Sequence, residues 1–365
     1  MRVTAAAAAT TAGPAHRPAR LTSRWWVIGI VAVVVAALTG LAVGPVAINP
    51  IGAAAELLNL IPGVSLQSGL TDQEAAIVTR LRLPRVALGL LVGGVLALAG
   101  ACYQGVFRNP LADPYLLGVA AGAGLGATAA VTVGSSVGLS GRTTAAGLVP
   151  ALAFAGALVA VVLAYSLGTA GGGRVRTPAT LILAGVAVAA FLTAVQTYLL
   201  QRNIETITEV YSWLLGRLAT SGWREVLLML PYAALAMVVV LAHRRELDVL
   251  SLGDDEASSL GLHPQRSRYL LVAAASLGTA AAVAVSGLIG FVGIIVPHTI
   301  RLLAGTSYRV ILPLSALFGA AFLTLADLAA RTVMSPSEIP LGVVTAFLGA
   351  PFFIVVLRTA KRVGM

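Results

Sequence analysis

The sequence predicts an all-α integral membrane protein with ten transmembrane helices and an internal inverted repeat. Three observations carry that prediction. Hydrophobic residues make up 58% of the 365 and charged residues only 10%, against roughly 25% charged in a typical soluble domain, so a bilayer is the solvent that can accommodate this surface. Ten apolar stretches follow one another, most of them near the ~20 residues a helix needs to cross ~30 Å of hydrocarbon. The basic residues, finally, divide unevenly between alternate loops.

The ten stretches are 25–47, 86–106, 115–134, 147–167, 180–200, 226–242, 269–289, 291–304, 310–330 and 340–358. The eighth is short, which predicts a tilted, broken or partly spanning helix. Residues 1–24 are Ala-rich and basic without an acid. They read as a disordered cytoplasmic tail rather than a signal peptide, because the Ala run is short and 25–47 is long enough to span. Residues 25–365 then form one transmembrane domain. With the tail inside, the inner segments hold sixteen of the 24 Lys and Arg and six of the fourteen acids. That satisfies the positive-inside rule and places both termini in the cytoplasm. The repeat rests on an echo between "LAGACYQGVFRNP" (Leu98 to Pro110) and "VSGLIGFVGIIVP" (Val285 to Pro297), whose leading helices run in opposite directions, as in transporters.

Several function classes are excluded. A phosphate-binding GxxxxGK[ST] loop needs a lysine after its glycines, and the sole lysine is Lys361. His16, His243, His263 and His298 are scattered and no HExxH, CxxC or GxSxG occurs, so neither a metal site nor a catalytic set nor a cofactor is expected. The lone Cys102 rules out an internal disulfide. No basic helix with interleaved aromatics suggests nucleic acid.

The stretch "FRNPLADPYLLG" (Phe107 to Gly118) interrupts two apolar runs with a rigid polar joint. Pro110 and Pro114 end helices and bias the preceding residues toward extended backbone. Asp113 is expected to cap a new helix with Pro114 in its first position. The following "GVAAGAGLGA" allows close backbone approach, which suits a pathway constricted at its inner end; a plain cytoplasmic turn is the other reading. In "LGDDEASSLGLHP" (Leu252 to Pro264), Asp254, Asp255 and Glu256 crowd the positive end of a short helix that Gly261 stops; a solvated surface helix fits the same residues. Arg82, Arg85 and Arg331 lie on the outer side against the general trend, and snorkelling at helix ends is one account of them. Asp327 lies within an apolar stretch, where a carboxylate costs ~2.5–3.5 kcal/mol at helix centre. It is expected to pair with Arg331 one turn on, or alternatively to serve as the coupling site of an ion-driven secondary transporter. His298 is expected at a helix end, and "VYSWLLGRLATSGW" (Val210 to Trp223) as an outer half-helix near a mouth.

The stretch "RLRLPRVALGLLVGGVLALAGACYQGVFRNPLADPYLLG" resembles the FecCD/BtuC-type permeases of iron–siderophore, haem and vitamin B12 ABC importers. So do "LGDDEASSLGL", "GLIGFVGIIVPHTIRLL", "LADLAARTV" and "EIPLGVVTAFLGAPFF". Together they cover roughly residues 80–358 in the family's order. The resemblance implies the type II importer permease fold in the bacterial inner membrane, and a homo- or heterodimer of permease subunits. It also implies separate ATP-binding cassette ATPase subunits and an extracytoplasmic substrate-binding protein. Asn109 and Leu111 fall where the family narrows its inner gate. Thr177, Pro178 and Ala179 fall at the second gate position, where hydroxyls are common and Pro178 and Ala179 depart. Leu252, Gly253, Asp254, Asp255, Glu256, Leu260 and Gly261 fall on the helix that docks into the ATPase, in a loop of about 246–268. Arg82, Arg85 and Arg331 fall where arginines meet acids of the binding protein. "LQRNIETITEVYSWLLGRL" resembles the siderophore branch, making a ferric siderophore the expected cargo and cobalamin or haem the alternatives.

Overall fold

The computed structural model describes residues 22–136, 147–170, 178–218 and 222–362. Residues 1–21 of the expected tail and the gate residue Thr177 lie outside them. Among the described residues, eight helices are long and apolar enough to cross a membrane. They are α1 (Ser23–Ala42), α4 (Leu83–Val106), α5 (Val119–Ser136), α6 (Val149–Ala170), α7 (Pro178–Arg202), α9 (Arg224–Ala242), α12 (Pro264–Ser286) and α14 (Tyr308–Thr332). Two helices with shorter apolar runs, α13 (Val292–Ala304) and α15 (Leu341–Arg362), complete the ten that were expected.

Five short helices connect them: α2 (Pro50–Asn59), α3 (Asp72–Ala76), α8 (Ile207–Leu214), α10 (Arg244–Leu250) and α11 (Asp254–Ser259). The sequence reading missed α2 and α3, which are too short to register as spans. Both carry ordinary start signals. Asn49 accepts from the Ile51 N–H ahead of Pro50, and Thr71 and Glu74 form a reciprocal capping box. A π-helical turn, Ile77–Arg82, then runs into α4.

Helix α4 is the axis of the bundle: every residue from Val92 to Val106 is buried, with α12, α13 and α14 packed around it. Between helices in lipid there is little hydrophobic gain, so close van der Waals packing of small residues must hold them together. Gly93 of α4 and Gly319 of α14 meet so closely that a Cβ on Gly93 would strike the Gly319 carbonyl oxygen. Gly122 of α5 and Gly156 of α6 make the same contact in both directions.

The short eighth helix has a clear cause. α12 stops at Ser286, Gly287 turns at φ +69, and Phe291 sits left-handed at φ 68. α13 therefore begins mid-bundle, where its Gly293 lies against Gly100 of α4. Pro297 has no N–H to offer the Gly293 carbonyl four residues back. Gln104 Nε2 of α4 donates to that carbonyl instead, at 3.2 Å. The two echoing stretches thus differ in local conformation: Leu98 to Val106 is unbroken helix, whereas the chain is non-helical from Gly287 to Gly290. His298 is correspondingly inside α13 rather than at a helix end, its ring edge-on to Phe352.

Candidate functional site

The functional residues gather at the two ends of the bundle. At one end the chain leaves α4 through Phe107–Gly118 and later passes through α10 and α11. Gly253, at φ +137, delivers the chain into α11. Gly261, at φ +83, ends it, with its N–H bonded to the Ser258 carbonyl and the Leu262 N–H bonded to the Ala257 carbonyl. The helix divides its residues by face. Leu252, Asp255, Glu256, Leu260 and Gly261 are exposed, whereas Ala257 is buried. Asp254 turns inward and is shared by two arginines. Arg268 Nη2, on α12 and 1% exposed, donates to it at 3.0 Å; Arg108, from the Phe107–Gly118 joint, forms the second ion pair. Neighbouring Asp248 of α10 caps α14, accepting from the Tyr308 N–H at 2.5 Å and the Ser307 hydroxyl at 2.9 Å.

The joint itself is a series of turns. Asn109 Oδ1 accepts from the Leu111 N–H at 3.0 Å, and Asp113 Oδ1 from the Tyr115 N–H at 2.7 Å. Asp113 does act as a local cap, but the helix expected from Pro114 does not start there. Residues 114–117 form a turn, Gly118 at φ +81 redirects the chain, and α5 begins at Val119. The Tyr115 hydroxyl reaches into the α12–α13 break, donating to the Ile289 carbonyl at 3.0 Å and accepting from its N–H at 3.2 Å. Leu111 is exposed and Asn109 half-buried. Burial raises the Asp113 carboxyl to about 6, against a lowering by the Tyr115 N–H. Of the second gate stretch, Pro178 is the first residue of α7 and Ala179 is exposed.

At the opposite end, Asp327 of α14 lies under Arg85 of α4. Arg85 Nε and Nη2 grip its carboxylate at 3.0 and 2.9 Å, while Nη1 and Nη2 hold Glu338 at 2.8 and 2.9 Å. The expected partner Arg331 is also there, but more distant, at 3.7 Å. Arg82 donates to the Leu41 and Ala42 carbonyls at 2.6 and 2.9 Å and to Val46, and Arg331 donates to Gly40. These carbonyls belong to the last turn of α1 and the residues beyond it. A helix C-terminus leaves such acceptors unsatisfied and carries partial negative charge. Burial lowers both these guanidinium groups into the packing rather than leaving them on a surface: Arg82 is 6% and Arg331 5% exposed.

Two cavities lie beside this end. An apolar one of about 650 Å³ is lined by Leu214, Leu288, Phe291, Val343, Phe347 and Pro351 among others. A second one of about 600 Å³, lined in part by hydroxyls and charged groups, is walled by α8, Arg217, Glu338 and Pro340. Leu215 borders both.

A profile of the FecCD transport family matches residues 30–359. The chain belongs to the FecCD transport family. It is 44% identical over 343 residues to the cobalamin import system permease protein of Halobacterium salinarum, covering 89% of this chain and 88% of that one. It is 38% identical over 291 residues to an Fe(3+)-citrate import system permease protein of Bacillus subtilis, covering 80% and 84%. A solved structure described as an inward-facing conformation of a metal-chelate type ABC transporter superposes with a TM-score of 0.78 at 28% identity, covering 93% of this chain and all of that one.

This FecCD permease is therefore a multi-pass membrane protein of the ABC importer class with the type II permease fold. Arg82 and Arg331, expected to meet a binding protein, are both buried and donate to α1 carbonyls. Asp254, unlike its acidic neighbours, is held by Arg108 and Arg268. Sequence reasoning also missed Arg108, Gln104, Asp248 and Arg217. Only Arg217 left a local signal, as a cation in the middle of a mouth-like half-helix motif.

Proposed function

We propose that this chain is the permease subunit of an ATP-driven importer whose cargo is a ferric siderophore, working in the cytoplasmic membrane with both termini inside. The arrangement of α11 carries this reading. Its exposed Leu252, Asp255, Glu256, Leu260 and Gly261 suit docking onto an ATP-binding cassette ATPase, while Asp254 on its inner face is tied to the joint that holds Asn109 and Leu111. Movement of the ATPase would reach the inner gate, completed by Thr177, Pro178 and Ala179, through one ion pair. A second permease subunit would cover the apolar faces of α7 and α15, where Leu183, Phe191 and Phe347 are 69%, 66% and 77% exposed. Of the three arginines expected to meet an extracytoplasmic binding protein, Arg85 is the one that is only partly buried, and it pairs with the exposed Glu338 at the rim. The secondary-transporter alternative loses its ground, because Asp327 is enclosed by Arg85 and Arg331. Cobalamin is the second reading of the cargo, supported by the halobacterial relative.

The test is reconstitution in liposomes with the cognate ATPase and binding protein, followed by uptake of labelled ferric siderophores, ferric citrate, haem and cobalamin. ATP-dependent accumulation of a ferric siderophore is expected. Accumulation of cobalamin alone would move the chain to the second reading, and ATP hydrolysis by the purified chain by itself would overturn the assignment.

A further inference from the structure

The second cavity is lined by one cation, Arg217, that has no partner among the described residues. α8 turns Thr208, Tyr211, Ser212 and Leu215 into it, the i, i+3, i+4, i+7 spacing of a single helix face, so three hydroxyls line one wall. Arg217 enters from the residues that follow. Its backbone is fixed at a junction of three elements: its N–H donates to the Ser286 carbonyl at the end of α12, at 2.8 Å. The Leu341 and Gly342 N–H groups at the start of α15 donate to the Gly216 and Leu215 carbonyls, each at 3.0 Å. Gly216 makes this possible, at φ +72 and pressed against the Leu288 carbonyl.

The arginines around Asp327 are otherwise engaged. Arg82 and Arg331 are bonded to α1 carbonyls, and Arg85 occupies both Asp327 and Glu338. Glu338 is the only carboxylate among the residues walling the cavity, and it is engaged by Arg85 through both oxygens. Among the described residues the Arg217 side chain has neither an ion pair nor a hydrogen bond, and it is exposed into the cavity. Next to it, past Leu215, the apolar cavity begins.

We propose that Arg217 is a charge-selecting binding residue in the cavity beside α8, taking an anionic oxygen group of the cargo, a carboxylate above all. The inference rests on the chelate-importer reading and narrows it to anionic, oxygen-ligated chelates. A guanidinium presents two parallel N–H groups that match a carboxylate, and the hydroxyls of Thr208, Tyr211 and Ser212 supply further donors for a cargo rich in oxygen. A neutral chelate finds the same hydroxyls but gains nothing from the charge. The apolar cavity beyond offers an anion no partner, so the hold at Arg217 is a single step rather than a trap.

The purified full-length chain, without ATPase or binding protein, is tested for binding of radiolabelled ferric citrate and of a neutral ferric trihydroxamate by equilibrium dialysis. Wild-type protein is expected to bind ferric citrate in preference to the neutral chelate, with affinity falling as salt is raised. Arg217→Ala should weaken ferric citrate binding about 10-fold, the equivalent of ~1.4 kcal/mol, and Arg217→Glu should abolish it. Arg217→Lys should keep part of it, and binding of the neutral chelate should be the same in all four. Matching thermal melts would show the variants folded. Equal affinity of wild type and Arg217→Ala for ferric citrate, or no binding by wild type, would overturn the proposal. Because this readout needs no transport, its failure is separable from failure of the importer assignment, which the liposome uptake assay reports.

Discussion

Arg108 and Asp254, 146 residues apart in the chain, form an ion pair that joins the joint after α4 to α11. Arg108 holds a left-handed backbone at φ 50 in doing so, a conformation that costs a non-glycine residue roughly 1–2 kcal/mol. The pair is about one-third exposed on each side, so its own contribution to stability is small, about 0–1 kcal/mol. Its geometry serves transmission better than it serves stability.

Arg108→Ala is therefore expected to melt within a few degrees of wild type yet hydrolyse ATP without proportionate uptake. The ratio of ATP hydrolysed to cargo accumulated, measured in liposomes with the partner subunits, should rise several-fold. Asp254→Ala should behave differently. It leaves the buried Arg268 without its carboxylate, so its melting temperature should fall further than that of Arg108→Ala. If the two variants melted alike and transported alike, the linkage would be discarded.

Asp327 should be structural. Asp327→Ala leaves Arg331 and one side of Arg85 uncompensated and should destabilise the purified chain by ~3–5 kcal/mol, with Asp327→Asn milder because it keeps an acceptor. Collapsing a proton gradient across the liposome should leave ATP-driven uptake by the wild type unchanged. Uptake that tracked the gradient would restore Asp327 as a coupling site.

Asp113 makes a pH prediction. Its folded-state value is raised from 3.8 to about 6, so the neutral form is favoured in the fold. Its contribution to stability is complete below about 3.8 and lost as pH rises through about 6. Melting temperature should drift downward across that window in wild type. Asp113→Asn, which keeps an oxygen for the Tyr115 N–H, should lack that component; parallel curves would refute it.

Gly93→Ala tests the α4–α14 crossing. Alanine raises helix propensity by ~0.8–1.0 kcal/mol over glycine, but here its Cβ meets the Gly319 carbonyl oxygen, a backbone atom that cannot rotate away. Overpacking of ~1–3 kcal/mol should win, lowering the melting temperature, whereas Gly290→Ala, with open space around it, should not.

The gate residues are tested by crosslinking. In a Cys102→Ala background, Leu111→Cys or Asn109→Cys should join two permease subunits in a nucleotide-dependent way, since a disulfide needs Cα atoms ~5.5–6 Å apart. Failure to crosslink at either position in every nucleotide state would reduce Phe107–Gly118 to a connecting turn.

Much of the architecture was legible because length and hydropathy are local properties. The ten apolar segments and the acidic short helix ended by Gly261 depend on nothing distant. The start of α5 was misplaced because Asp113 and Pro114 carry the right residue types for a helix start, while the redirection at Gly118 depends on packing against α7. The arginines were located without their carbonyl partners for a different reason. Arg82 and Arg331 bond to carbonyls of α1, and a backbone carbonyl leaves no mark in a sequence. Asp254 has a similar history, since Arg108 and Arg268 become its neighbours only when three segments fold together.

Glycine-to-carbonyl contact at Gly93–Gly319, Gly100–Gly293 and Gly122–Gly156 also bears on how such a protein can evolve. An interior spaced by backbone atoms has no slack for a larger side chain, so α4, α5 and α14 are closed to gradual change. Adaptation to a new cargo is left to positions whose side chains line a cavity, such as those on α8 and Arg217. A permease of this build can change its diet from the rim while its interior stays fixed.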